Sequence, residues 1–415
     1  SFSMMNDDGT DKLKETVQES LNSLFQALIK ETEIDPKLVV ELAIVCNPVM
    51  HHLLLGINPT ELGQAPFALA SSDSLYFKNE HIGLNFLVNA NLYLLPCIAG
   101  HVGADAAAVI LSEAPNESEE TVLIIDVGTN AELILGNKSE LYACSSPTGP
   151  AFEGAQISSG QRAAPGAIEK IKIDPISKDP IFKVIGCDYW SNEEQFQNFL
   201  SNQKITGICG SGIIEAIAEM RMTGILDASG LIGSSSETGS ERCISEGRTN
   251  SYIIYKSMIN DETTIKITNG DVRAIQLAKA ALFAGSRLLM DEMKIDKIDK
   301  IILAGAFGAH ISTKHAMVLG MIPDCNLKKV TSAGNAAGAG AMIALLNRKS
   351  RLEISKTVKK INKIETAMAP KFQEYFVSAS AIPNSMFSFP ELEKVMKLPD
   401  VSFNQKKRNK RANYN

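Results

Sequence analysis

The chain has 415 residues, 45% of them hydrophobic and 21% charged, with a formal net charge of -6 and a pI near 5.7. It is long enough to bury more than one core and to divide into at least two domains, and its acidic balance gives no general attraction to nucleic acid or to an anionic membrane. Seven cysteines, at 46, 97, 144, 187, 209, 243 and 325, are dispersed and odd in number. They fit neither a disulfide framework nor a closely spaced metal or iron–sulfur ligand set, and a reducing cytoplasm is the expected setting.

No run of about 18 uninterrupted apolar residues occurs, the nearest, LNFLVNANLYLLPCIAGHV, being broken by Asn85, Asn89 and Asn91. No signal peptide is visible, and SFSM ahead of Met5 reads as foreign to the natural chain. Residues 11–31 place Leu13, Val17, Leu21, Leu24 and Leu28 at helical spacing, which predicts an amphipathic helix. KLVVELAIVCN then predicts a strand, and PVMHHLLLGI a short helix opened by Pro48. One or two strands are expected in 82–100 and a helix in ADAAAVILSE. His51 and His52 in the first of these helices, and His101 in a glycine-flanked turn, read as packed or surface side chains with no site role. SEAPNESEE, 112–120, is short and acidic and reads as a domain boundary.

Residues 121–145 hold three apolar runs joined by Gly128-Thr129-Asn130 and Gly136-Asn137-Lys138, the pattern of a three-stranded antiparallel meander. A loop region, SPTGPAFEGAQISSGQRAAPGAIEKI, leads to strands around 181–186. In 207–226 a glycine turn feeds a helix carrying Ile213, Ile214, Ile217 and Met220. Residues 267–293 predict a long helix capped by Asn269 or Asp271, and 298–320 a buried strand, a glycine turn and another helix. SAGNAAGAGAMIALLN offers small residues for close helix packing. The expected division is an α/β domain over 1–112, a second domain over 121–400 and a basic tail over 401–415, where QKKRNKR reads as a solvated end.

Three glycine turns follow strands: Asp126 to Asn130, Gly207 to Gly212, and Gly305 to Gly308. Glycine allows close backbone approach and positive φ, so that several N–H groups converge on one anion. At 207–212 the turn opens a helix whose N-terminus adds unpaired donors and partial positive charge, which suits phosphate. Asp126 would repel a phosphate directly, but Mg2+ favours oxygen ligands and keeps several waters, so one acid can hold the metal that neutralises a triphosphate. The alternative is a strand-ending Asp that caps its own turn through the Thr129 or Asn130 N–H.

Taken together, these turns resemble the ATPase core of actin, sugar kinases and heat-shock chaperones, two ribonuclease-H-like halves with nucleotide in the cleft. More narrowly, GPAFEGAQISSGQRAAPGAIEKI, GICGSGIIEAIAEM, ITNGDVRAIQLAKAALFAG and ILAGAFGAHI resemble the C-terminal domain of the reductive activators of corrinoid proteins. NPVMHHLLLGINPTELGQAPF and LPCIAGHVGADAAAVIL resemble that family's middle domain. The resemblance covers roughly residues 35–345. It implies a small α/β middle domain followed by a two-lobed actin-like ATPase, which couples ATP to the return of cobalt(II) to cobalt(I) on a methyltransferase-linked corrinoid protein.

Carried over by motif, Asp126, Gly128, Thr129 and Asn130 would form the first phosphate site with Mg2+, Asp126 being the metal ligand. Gly207, Gly210, Ser211 and Gly212 would form the second, and Gly305 and Gly308 the adenosine site. Arg273, Gln276 and Lys279 would be nucleotide-side contacts or else a solvated face. Glu153 would polarise the attacking water or else serve its turn structurally.

Two departures accompany the resemblance. The family's ferredoxin-like domain, whose four cysteines hold a two-iron two-sulfur cluster, has no counterpart in these cysteines, so no cluster is expected here. The electron would come from a preceding domain or from a separate ferredoxin-type donor. The second turn carries Cys209 where many members of the wider superfamily carry an acid, so efficient kinase-like hydrolysis does not follow. A homodimer is compatible with the resemblance. A corrinoid-protein docking module without turnover and a small-molecule kinase on the same core are the alternative readings.

Overall fold

The computed structural model describes residues 2–403 except 88, 258–262 and 309; the basic run 405–411 lies outside the described residues. A short helix α1 (Phe2–Met5) precedes the long α2 (Gly9–Thr32). Strand β1 (Glu41–Ile44), helix α3 (Pro48–Leu55), strands β2 (Leu75–Lys78) and β3 (Asn91–Leu94) and helix α4 (Ala104–Glu113) follow. Asn47 caps α3, its side chain accepting from the Met50 N–H, with Pro48 at the first helical position. The three strands form a small sheet in the order β1-β3-β2. The packed stripe of α2 is Val17, Leu21 and Phe25, against Leu54, Leu84 and Leu92. The expected stripe through Leu24 and Leu28 is displaced, for both are exposed, at 65% and 53%.

Strands β4 (Val122–Val127), β5 (Ala131–Gly136) and β6 (Leu141–Ser146) are the antiparallel meander. Beyond them run β7 (Ala167–Ile173), β8 (Pro180–Val184), α5 (Phe196–Asn202), β9 (Gly207–Ile208), α6 (Gly210–Met222) and α7 (Ser235–Thr238). Strands β10 (Cys243–Glu246), β11 (Thr249–Lys256) and β12 (Thr264–Thr268) lead into the long α8 (Asn269–Glu292). Then come β13 (Lys300–Ala304), α9 (Gly305–Gly308), α10 (Thr313–Leu319), β14 (Val330–Gly334), α11 (Ala336–Leu346), α12 (Arg348–Val358), β15 (Asn362–Ile364), α13 (Phe372–Ser378) and α14 (Pro390–Glu393). The cap of α8 is Thr268, in a reciprocal pair with Asp271. Asn269 instead donates to the Gly230 carbonyl.

The central sheet has six strands in the order β14-β13-β4-β5-β6-β15, and separate three-stranded sheets, β8-β7-β9 and β10-β11-β12, build the other half. Successive side chains of a strand point to opposite faces, and both faces here are covered. Leu123, Ile125, Leu133 and Leu303 pack towards Ile275, Leu282 and Leu289 of α8. Ile124, Ile134 and Ile302 pack towards Ala106, Val109 and Ile110 of α4. That double coverage is why β4 reads as an almost continuous apolar run. Helix α4 belongs to the first region in sequence, yet it shares a core with the second. It also lies so close to α11 that a Cβ at Gly340 would stand 1.9 Å from the Ala108 carbonyl oxygen. The acidic stretch 112–120 turns the chain between these elements without separating their cores.

Candidate functional site

Asp126 sits where β4 emerges from the central sheet, aligned with Ala304 of β13 on one side and Glu132 of β5 on the other. Gly305 follows Ala304 with φ +83°, and a Cβ there would lie 2.4 Å from Asp126 Oδ1. The third glycine turn therefore rests on the acid of the first, in a conformation and at a distance open to glycine alone. The first turn closes through Gly128 N–H to the Asn130 carbonyl, 3.1 Å.

Thr148 Oγ1 lies within donating distance of the Gly128 and Thr129 carbonyls, 3.0 and 2.9 Å, and Thr129 Oγ1 donates to Glu153 Oε1 at 2.5 Å. Thr129, Asn130 and Glu153 are exposed. The loop that begins at Glu153 runs on to the second glycine turn, where Gln161 N–H donates to the Ile208 carbonyl and Ile208 N–H to that of Ser159, both 2.9 Å.

Electrostatics mark the Asp126 corner. Burial, and then the charge of Asp105 at the start of α4, raise the Asp126 carboxyl to about 6. Burial raises Asp105 as well. Glu132 stands well above the usual carboxylate range through burial and the charges of Asp105 and Asp126. A cation would relieve this repulsion, and the residues fit Mg2+ held by one carboxylate with water completing its shell. Among the described residues no three or more His, Cys, Asp or Glu converge as a metal-ligand set.

In the second turn, Cys209 is the N-cap of α6 and the first intrahelical bond is Ile213 N–H to the Cys209 carbonyl, 3.0 Å. The N–H groups of Gly210, Ser211 and Gly212 therefore precede the ladder and are the donors an anion would meet. The Ser211 hydroxyl is turned inward to the Glu169 carbonyl, 3.1 Å. The two flanking glycines have packing reasons of their own. A Cβ at Gly212 would stand 2.5 Å from the Ile168 carbonyl oxygen, and one at Gly207 2.7 Å from Gln161 Oε1. Gly308, in the third turn, takes a hydrogen bond from Ser332 Oγ to its carbonyl, 3.0 Å.

The α8 residues divide. Arg273 is exposed. Gln276 and Lys279 are buried, at 4% and 1% exposure, which corrects the solvated-face alternative for these two. Gln276 Nε2 donates to the carbonyls of Ser229 and Ser380, 3.0 and 2.7 Å, and Lys279 Nζ to those of Ala381 and Pro383. Burial holds the Lys279 amine well below the usual lysine range. In this conformation both side chains bind the returning C-terminal segment and not an open cleft.

Sequence reasoning passed over Asp105 and Glu132, and also a buried cluster on α6 and α10. His315 Nε2 lies 2.9 Å from Glu219 Oε1. Glu215 and Glu219 also accept the Ile171 and Ile173 N–H groups of β7, 2.9 and 3.0 Å. The i, i+4 spacing of the two glutamates was the signal available. They fix the helix of the second turn to β7 and to the helix that follows the third.

Two α/β halves, with glycine turns at strand ends and an acid leading the first, define an ASKHA-type domain, the architecture of actin-like ATPases. The chain belongs to the RACo family: residues 120–393 match the C-terminal domain of RACo, the ASKHA domain, and residues 1–116 match the RACo middle region. It is 33% identical over 385 residues to the corrinoid activation enzyme RamQ of Eubacterium limosum, covering 91% of this chain and 61% of that protein. It is 27% identical over 386 residues to a [Co(II) methylated amine-specific corrinoid protein] reductase of Methanosarcina barkeri, covering 87% and 65%. A solved structure, of a reductive activator for corrinoid, iron–sulfur protein, is similar with a TM-score of 0.79 and 31% identity, covering 92% of this chain and 59% of that one. The chain thus spans less than two thirds of the length of these relatives. Among the described residues no helix is long and apolar enough to cross a membrane.

Proposed function

We propose that this chain is the ATP-binding and corrinoid-protein-binding part of a reductive activator, coupling ATP binding and hydrolysis to the return of cobalt(II) to cobalt(I) on a corrinoid protein. The observation that carries the reading is the Asp126 corner. There a carboxylate repelled by its own neighbours and pressed by Gly305 stands beside a donor-rich turn, in a chain of the RACo family. Mg2+, held by Asp126, would supply the charge that neutralises a triphosphate. The N–H groups of Thr129 and Asn130 and of Gly210 to Gly212 receive the phosphates, and the turn from Gly305 to Gly308 borders the adenosine. Glu153, tied to Thr129, positions the attacking water. The electron comes from a ferredoxin-type donor, whether carried by a further domain or by another polypeptide, and a homodimer is part of the same reading.

Cobalt(I) corrinoids are strong reductants, so one-electron reduction of the cobalt(II) state needs an energy source. ATP supplies it only where nucleotide and corrinoid protein favour different conformations of the chain, because a ligand that binds both states equally shifts neither. The alternative of docking without turnover is favoured by Cys209, which puts no acid in the second turn. Calorimetric titration with ATP-Mg and then with a cobalt(II) corrinoid protein, followed by assay of ADP, separates the two. Binding of both with ADP formation supports the activator. Binding of the corrinoid protein without nucleotide binding leaves the docking module.

A further inference from the structure

The loop that links the first glycine turn to the second carries an exposed arginine on a fixed backbone. Ser158 is pinned to Asp271 at the start of α8, its N–H donating to Oδ1 and its hydroxyl to Oδ2, both 2.7 Å. The Ser159 hydroxyl accepts the Lys266 N–H of β12, 3.3 Å. Gly160 then bridges in parallel to Ile208 of β9, and Gln161 N–H donates to the Ile208 carbonyl, 2.9 Å. The next residue, Arg162, is exposed, and among the described residues no hydrogen bond or ion pair holds its guanidinium.

Backbone contacts on either side place it. A Cβ at Gly160 would stand 2.0 Å from the Gly154 carbonyl oxygen, and one at Gly154, where φ is +83°, 2.6 Å from the Gln161 carbonyl oxygen. The residue after Glu153 therefore abuts the residue before Arg162. On the other side, the parallel register of Gly160 with Ile208, carried on along both chains, sets Arg162 level with Gly210, about 5 Å away at the usual strand spacing. Arg162 thus stands between Glu153, tied to Thr129 of the first turn, and the first N–H donor of the second.

That gap lacks a full positive charge. Cys209, Gly210, Ser211 and Gly212 offer N–H groups and the partial charge of a helix N-terminus. Mg2+ offsets only part of the charge of a triphosphate, and the remainder falls on its oxygens. A guanidinium meets a phosphate with parallel N–H donors and stays charged at any working pH. Because the backbone beneath Arg162 is already fixed, only its side chain has to be ordered when a phosphate arrives.

We propose that Arg162 is a phosphate-binding residue that sets a preference for ATP over ADP, its guanidinium meeting the terminal phosphate between the two turns. The assignment rests on the ATP site proposed above. ATP-Mg and ADP-Mg are titrated calorimetrically into the full chain as wild type, Arg162→Gln and Arg162→Lys. Arg162→Gln should weaken ATP-Mg binding by about tenfold or more, as loss of a charge-assisted hydrogen bond does, with ADP-Mg affinity and thermal stability unchanged. Arg162→Lys keeps the charge and loses the fork, so its ATP-Mg affinity should lie between that variant and the wild type. A role in holding the loop alone would instead weaken both nucleotides together and lower stability. Unchanged ATP-Mg affinity in Arg162→Gln, an equal loss for both nucleotides, or no recovery in Arg162→Lys would overturn the assignment while leaving the ATP site in place. Absence of ATP-Mg binding by the wild type would overturn the site itself and Arg162 with it.

Discussion

Replacing Asp126 with Asn should stabilise the free protein while removing its Mg-dependent nucleotide binding. The side chain keeps its shape and loses a charge that burial and Asp105 oppose. Its carboxyl is raised from an ordinary 3.8 to about 6 in the folded chain, so folding takes up a proton between those pH values, and this group's contribution becomes less favourable as pH rises through the window. Below pH 3.8 both states are protonated and the group is neutral to stability. Above pH 6 both are ionised and the folded state bears the full difference, about 3 kcal/mol.

Asp126→Asn should therefore unfold later than wild type at pH 7.5, by up to about 3 kcal/mol, and converge with it towards pH 4. Urea unfolding at the two pH values, with ATP-Mg titration at pH 7.5, measures both halves of the prediction. Equal or lower stability of the variant at pH 7.5, or a difference that does not narrow on acidification, would refute the electrostatic account. Retained ATP-Mg affinity would refute the functional one. A binding residue that costs the empty protein stability is the trade-off expected of a site poised for a cation.

The same titration predicts that ATP-Mg affinity of the wild type falls as pH drops through about 6, because Asp126 must release its proton to hold the metal; calorimetry in buffers of different ionisation enthalpy should show proton release, and a flat profile from pH 5 to 7.5 would count against it. Gly305→Ala should lower stability by about 1–3 kcal/mol and weaken nucleotide binding, since the new methyl meets Asp126 Oδ1 in left-handed backbone. Wild-type affinity in that variant would separate the third turn from the site. Lys279→Met should lose about 1–3 kcal/mol by abandoning the Ala381 and Pro383 carbonyls at unchanged nucleotide affinity. Full stability with weakened nucleotide binding would restore Lys279 as a nucleotide contact.

The meander and the strand–turn–helix units were legible because alternation, glycine turns and caps are local signals, and Asp126 stood out as an acid at the exit of an apolar run. What escaped was set by residues distant in sequence. Gln276 and Lys279 look like polar positions on a helix until residues 380–383 return to cover them. Leu24 and Leu28 obey the helical period, but the face of the helix that meets Leu54, Leu84 and Leu92 is the one carrying Val17, Leu21 and Phe25, which leaves both leucines exposed. Strand β7 was hidden inside a glycine-rich stretch, and β10 to β12 are too polar in their outward residues to announce a sheet. Asp105 reads as a first-turn acid of a small-residue helix, and only the packing of α4 on the central sheet brings its charge to bear on Asp126.

The central claim is that nucleotide and corrinoid protein act on one another through this chain. Linkage makes the effect reciprocal: the corrinoid protein must change ATP-Mg affinity by the factor by which ATP-Mg changes its own, typically about 5- to 150-fold. The deciding measurement is a pair of ATP-Mg titrations with and without saturating cobalt(II) corrinoid protein, repeated on Asp126→Asn. The account predicts a shift of that order in the wild type and its loss in the variant; equal ATP-Mg affinities with and without bound partner would contradict it.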